Sequence, residues 1–162
     1  MHHTVVALVE DKPGVLERVS SQFRRRSFNI VSVSAGRTAP GMSCITVVVD
    51  SDKRSVDRVI ASISKVVNVL QVEDLGDRRA VARDMALVKV ANSPANRMLA
   101  DRFVIEGRAR LIDSGDTTVT LELTGGPEQI DAAVRDLEAL GIIEMVRSGG
   151  IALGRGDETL KR

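Results

Sequence analysis

The sequence predicts an α+β protein built from two ferredoxin-like βαββαβ sandwiches. Three observations carry that prediction. Short β-rich runs alternate with apolar residues at helical spacing. The order strand–helix–strand–strand–helix–strand occurs twice, the second time roughly eighty residues after the first. The length of 162 residues accommodates two small units as readily as one ordinary domain.

In the first half, Thr4 to Glu10 is a β-rich run that stops at the turn signal Asp11-Lys12-Pro13-Gly14. Pro13 can open a helix, and Leu16, Val19 and Phe23 recur at helical spacing to about Arg26. Asn29 to Gly36 alternates Ile30, Ser32 and Ser34 with Val31, Val33 and Ala35, as a strand does. Arg37 to Gly41 forms the next turn and Met42 to Asp50 the next strand. Val56, Val59, Ile60 and Ile63 fit the stripe of an amphipathic helix, and Val66 to Leu75 closes the unit as a strand.

The second half repeats this pattern with little identity of letters. Met85 to Ala91 is a strand, and Ser93-Pro94 caps and opens a helix through Met98, Leu99 and Phe103. Arg108 to Asp113 and Thr117 to Thr124 form a hairpin around Ser114-Gly115-Asp116. Gly126-Pro127 starts a helix with Ile130, Ala133, Val134 and Leu137 on one face, and Ile142 to Arg147 is the last strand. The expected organisation is therefore a first domain over 1–75, a linker over 76–84 and a second domain with a tail over 85–162. Arg78, Arg79 and Arg83 suggest a charged linker helix. Units this small bury only about 60% of their unfolded surface, so their open sheet faces and edges need cover. Side-by-side pairing of units, within or between chains, would supply it.

Composition narrows the function classes. The 23 Lys and Arg balance 22 Asp and Glu, a net charge of +1, which argues against a dedicated nucleic-acid binder. Three Phe without Trp or Tyr leave little on which bases could stack. A single cysteine, Cys44, excludes a disulfide framework and a multi-cysteine zinc site, and no metal site is expected. His2 and His3 are the only histidines, so histidine-based catalysis has little material. The first apolar run is far shorter than a membrane span and lacks a signal-peptide pattern, so a cytoplasmic location and no membrane are expected.

The main chemistry lies in Asp11-Lys12-Pro13-Gly14-Val15-Leu16. A helix start presents unpaired backbone N–H groups and partial positive charge, which suits a carboxylate. Gly14 permits close backbone approach, and the Asp11 carboxylate could meet an ammonium. Together they suit a zwitterionic amino acid. The same letters also make an ordinary turn with an N-cap. Elsewhere the readings are plainer. Arg24-Arg25-Arg26 is a solvated helix end, with an acidic partner surface as the alternative. Gly125-Gly126-Pro127 lacks the ending of a phosphate loop, and Asp113 and Asp116 serve a hairpin turn rather than a metal.

The stretch Val9 to Leu16, then Arg18-Val19, Phe23 and Arg25 to Ile30, resembles an ACT domain. More narrowly, it resembles the regulatory small subunit of acetolactate synthase. Ser32-Val33, Gly36-Arg37-Thr38, Ile45 to Val49, Val66 to Leu70, Met85 to Val90 and Arg147 to Gly156 extend the resemblance over nearly the whole chain. It is tight in the first half and loose in the second. The resemblance implies a chain without catalytic residues that serves branched-chain amino-acid biosynthesis. Such a chain activates a catalytic large subunit and confers feedback inhibition by valine. Thiamine diphosphate, Mg²⁺ and FAD are expected in that partner and none in this chain. Paired ACT domains of a homodimer would form an eight-stranded sheet with effector sites at the seam. Backbone amides around Gly14, Val15 and Leu16 would hold the effector carboxylate and Asp11 its ammonium. Asn29 would reach it from the partner chain, and Val33 and Ala35 would bound the aliphatic pocket.

Two letters depart from the family pattern. Many relatives carry Asn in place of Asp11, and Arg commonly stands in place of Cys44, whose bland reading is a small strand residue. Two other function classes remain open to the sequence. One is a free-standing amino-acid sensor or transcriptional regulator, for which no helix-turn-helix or basic stripe is visible. The other is an enzyme using Cys44 or a carboxylate, for which no activating histidine or carboxylate pair is visible.

Overall fold

The computed structural model describes residues 2–76, 80–157 and 159–160. The first βαββαβ unit comprises β1 (His2–Glu10), α1 (Val15–Arg24), β2 (Asn29–Ala39), β3 (Met42–Asp50), α2 (Lys53–Ile63) and β4 (Val69–Asp74). The second comprises β5 (Ala80–Ala91), α3 (Pro94–Ile105), β6 (Arg110–Ser114), β7 (Thr118–Gly125), α4 (Pro127–Glu138) and β8 (Ile142–Arg147), and β9 (Ile151–Gly154) follows. The sheets run β2-β3-β1-β4 and β6-β7-β5-β8, the same antiparallel ferredoxin-like order in both.

Each unit has its own core on the helix-bearing face of its sheet. In the first, Val5, Ala7 and Val9 of β1 meet Val15, Val19 and Phe23 of α1 and Val56, Val59 and Ile63 of α2. Helix α1 differs from expectation by one position: Val15 is buried, whereas Leu16 is 44% exposed. The left-handed Gly14 that precedes α1 starts the helix at Val15, so the buried stripe runs 15, 19, 23. In the second unit, Ala86, Val88 and Val90 meet Ala100, Phe103, Ile130, Ala133 and Leu137. There Met98 is exposed and the small Ala100 takes its expected place in the core.

The compact units differ from the boundaries 1–75, 76–84 and 85–162. One unit holds the residues up to Ala82 together with those from Gly150 on, and the other spans Arg83–Gly149. Residues 77–79 of the expected linker lie outside the described residues. Ala80 to Asp84 are strand rather than linker helix, being the first part of β5. The C-terminal segment returns because the back of the first sheet is apolar. Ala80 and Ala152 are buried with Val6 and Leu75, and Cys44, Ala82 and Leu160 pack around them. Both faces of β1 are thereby covered, which explains its unbroken buried run Val5 to Val9. That cover comes from the first part of β5 and the C-terminal segment, whereas the sequence pointed only to pairing of units.

The two units repeat a corner built on a buried carboxylate, on β4 in the first and on β5 in the second. His3 on β1 meets Asp74 on β4 at 2.8 Å, and Lys53 at the start of α2 reaches the same carboxylate at 2.9 Å. Asp84 on β5 accepts from Arg147 Nε on β8 at 2.8 Å, and Arg147 also pairs with Asp131 of α4 at 2.5 Å. The positions correspond. Asp74 pairs in register with Val5, two residues after His3, and Arg147 pairs with Ala86, two residues after Asp84. Among the described residues, His3 Nε2 and Asp84 Oδ1 are buried without a hydrogen-bond partner.

Candidate functional site: the loop between β1 and α1

The site is the start of α1 and the loop that feeds it. Gly14 occupies the N-cap position with φ 79° and ψ −2° and offers no side-chain hydrogen bond. Helices α2 and α3 are closed by side chains, Asp52 accepting from the Ser55 N–H at 2.9 Å and Ser93 from the Asn96 N–H at 3.2 Å. At α4, Gln129 reaches back to the Gly126 N–H at 2.8 Å. The first turn of α1 thus keeps backbone donors with no side chain turned onto them. A Cβ on Gly14 would meet nothing within 4 Å, so the space above the turn is open. One of the three expected amides is already used: the Val15 N–H bonds the Lys12 carbonyl at 3.3 Å. The Val15 side chain is core, and Leu16 projects outward beside the turn.

The loop is held from two sides. On one side, the Asp11 N–H bonds the Gly41 carbonyl at 2.9 Å and the Asp11 carboxylate accepts from Arg37 Nε at 2.7 Å. Asp11, Arg37, Thr38, Ala39, Pro40 and Gly41 line a shallow polar pocket there. On the other side stands Asn68, in the turn before β4. It donates to Glu10 Oε2 at 2.6 Å and accepts from Arg18 Nη2 at 3.2 Å. The hydrogen bonds from Lys12 and Asn68 hold the Glu10 carboxyl below the usual carboxylate range.

Strand β2 carries the remaining expected residues along the open edge of the sheet. Val33 and Ala35 pair with the core residues Val47 and Ile45, so they lie on the helix side of the sheet, at an edge that no strand among the described residues covers. Asn29 stands at the far end: it pairs with Asp50, whereas Arg37 pairs with Ser43 beside the hairpin turn. Eight residues of strand separate Asn29 from Arg37, about 26 Å, so within one chain Asn29 does not meet the Asp11 loop. It lines instead a groove with Glu17, Ser20, Arg24 and Phe28.

Arg37 and Asn68 were not among the expected site residues. The hairpin turn Pro40-Gly41 signals that Arg37 lies near the end of β1. Asn68, at φ 73°, is a residue type that tolerates the left-handed conformation, and its place just before a strand is the available signal. Cys44 lies in β3, half-buried; burial raises its thiol pKa, against a smaller lowering by Thr46. Among the described residues no group of three or more His, Cys, Asp or Glu is arranged to hold a metal, and no helix is long and apolar enough to cross a membrane.

Residues 6–71 match the family model described as the AHAS small subunit-like ACT domain, and residues 83–156 match that of the small subunit of acetolactate synthase. The acetolactate synthase small subunit of Mycolicibacterium smegmatis is 39% identical over 155 residues, covering 95% of this chain and 91% of that protein. The chain belongs to the acetolactate synthase small-subunit family. A probable acetolactate synthase small subunit from Methanothermobacter thermautotrophicus is 36% identical, covering 98% of this chain and 95% of that protein. The crystal structure of the acetolactate synthase small subunit from Thermotoga maritima aligns with a TM-score of 0.86 at 29% identity, covering 98% and 99% of the two chains. As a small subunit of acetolactate synthase, the chain is a regulatory, non-catalytic subunit of a transferase.

Proposed function

We propose that the chain binds a branched-chain amino acid, valine first, at the start of α1, and that this binding restrains a catalytic large subunit of acetolactate synthase that the chain otherwise activates. The observation that carries the reading is the uncapped, open first turn of α1, with Asp11 in the loop that feeds it. Free backbone donors and the positive end of the helix dipole suit the effector carboxylate, and Asp11 suits its ammonium. Val33 and Ala35 supply a small aliphatic surface sized for a branched side chain.

The opposite placement of Asn29 and the loop supports a site shared by two copies. Antiparallel pairing of two β2 edges about an axis near Val33 brings Asn29 beside Arg37 of the partner subunit, and so beside the partner's Asp11 loop. The same pairing covers the β2 edge and gives an eight-stranded sheet. Valine then regulates by favouring one arrangement of the pair, a coupling of about 1–3 kcal/mol in typical cases. Thiamine diphosphate, Mg²⁺ and FAD belong to the large subunit, and the cytoplasm is the expected compartment.

Calorimetric titration of the full chain with valine, leucine and isoleucine tests the reading. It predicts saturable binding of at least one of them, lost in Gly14→Asp. Absence of binding by all three would contradict it. A free-standing amino-acid sensor would instead bind the ligand without associating with the large subunit in co-purification.

A further inference from the structure

The Asp11–Gly14 loop has to keep one shape if the first amides of α1 are to converge on a ligand, and Asn68 holds the residues on either side of it, Glu10 and Arg18. Its backbone is left-handed at φ 73°, a conformation that costs a non-glycine residue energy. Its carbonyl accepts from the Glu10 N–H at 2.9 Å. Its side-chain amide donates to Glu10 Oε2 at 2.6 Å, and its side-chain oxygen accepts from Arg18 Nη2 at 3.2 Å. Arg18, one turn into α1, also reaches the Pro13 carbonyl at 3.5 Å. Glu10 in turn pairs with Lys12 at 2.7 Å. An irregularity in the β1–β4 pairing, where the register shifts between Leu8 and Val9, sets the Asn68 turn against the end of β1.

We infer that Asn68 is a positioning residue of the effector site: by clamping Glu10 and Arg18 it fixes the Lys12-Pro13-Gly14 turn against α1 and so sets the direction of the ligand-binding amides. This rests on the effector reading above. Asn68 itself touches none of the proposed ligand contacts, Asp11 and the α1 amides, and acts through the loop. Both halves of the amide are used, one as donor and one as acceptor, so the clamp depends on Asn rather than on any left-handed residue.

Valine titration of the full-length variants tests this. Asn68→Gly keeps the left-handed backbone at no cost and deletes only the clamp. It is expected to weaken valine binding roughly tenfold while melting temperature and oligomeric state stay near wild type. Asn68→Asp sets two carboxylates face to face and should weaken binding further. Adding Glu10→Gln turns that pair back into donor and acceptor and should restore affinity to within about threefold of wild type, a coupling that a double-mutant cycle reads directly. Should the Asn68 variants fail to fold, Arg18→Met removes the other half of the clamp at an exposed position and is expected to weaken binding likewise. Wild-type affinity in a folded Asn68→Gly or Arg18→Met chain, or no rescue by Glu10→Gln, would overturn the assignment while leaving the effector site standing. No valine binding by the wild-type chain would overturn both.

Discussion

The Nε of Arg37 donates to the Asp11 carboxylate at 2.7 Å, tying the edge strand β2 to the loop that opens α1. The pair is largely exposed, Arg37 at 85% of its side-chain surface, so its worth to folding is small. Its consequence is for charge: in the proposed site, an effector ammonium arriving at Asp11 would meet a carboxylate with one oxygen already engaged. The reorganisation needed for that binding would run through β2, the strand proposed to meet the second copy.

Asp11→Ala should lower valine affinity at least tenfold while changing unfolding free energy by less than about 1 kcal/mol. Titration calorimetry beside chemical denaturation reads the two quantities separately. A large loss of stability would make Asp11 a structural residue.

Gly14→Asp introduces a side chain into open space, since nothing beyond its chain neighbours lies within 4 Å of an added Cβ. The backbone at φ 79° is left-handed, a conformation Asp tolerates better than most residues, so the variant should fold. The added carboxylate occupies the anion seat, and valine inhibition of the reconstituted enzyme should disappear while activation of the large subunit persists. Asn29→His is expected to do the same from the other end of β2. Normal valine inhibition in both variants would place the effector elsewhere.

Val33→Lys puts a charge at the middle of the β2 edge, where Val33 is 38% exposed. Edge strands are blunted in this way against pairing. The variant should stay folded by circular dichroism and sediment as a monomer. Persistence of a dimer would remove β2 from the interface.

Asp74 contributes to acid stability in the first unit. Burial raises its pKa, but hydrogen bonds from Lys53, His3 and the Gly76 N–H outweigh it and leave the group below its ordinary value. A depressed carboxylate contributes stability that is present above the unfolded pKa of about 3.9 and is lost as pH falls through the folded value. Asp74→Ala should therefore cost roughly 1–3 kcal/mol at neutral pH, and the difference from wild type should narrow as pH drops below about 4. A difference independent of pH would show that the corner is held by packing alone.

Much of this architecture was legible because periodicity reports burial on one face. The stripe Val56, Val59 and Ile63 reads directly as the buried side of α2. Periodicity was a poorer guide where size misleads, as at Met98 and Ala100, or where a left-handed residue resets a helix start, as at Leu16. Strand β9 and the first part of β5 escaped the sequence because they cover the back of β1, a tertiary event that leaves only short apolar runs. The loop at Asp11 to Leu16 was visible through its turn letters. Its supports at Arg37 and Asn68 come from distant sequence, and a single sequence carries no record of such pairings. His3, expected only as one of two terminal histidines, is a buried partner of Asp74 for the same reason.

The central claim is that each effector site joins the Asp11–Leu16 loop of one copy to Asn29 of the other. Heterodimers purified with one Gly14→Asp chain and one Asn29→His chain measure this most directly. Both homodimers should bind no valine. In the heterodimer one site carries both substitutions and the other carries neither, so the account predicts valine binding of wild-type affinity at one site per dimer. Heterodimers that bind no valine would contradict it and would place Asn29 and the loop in the same site of one chain.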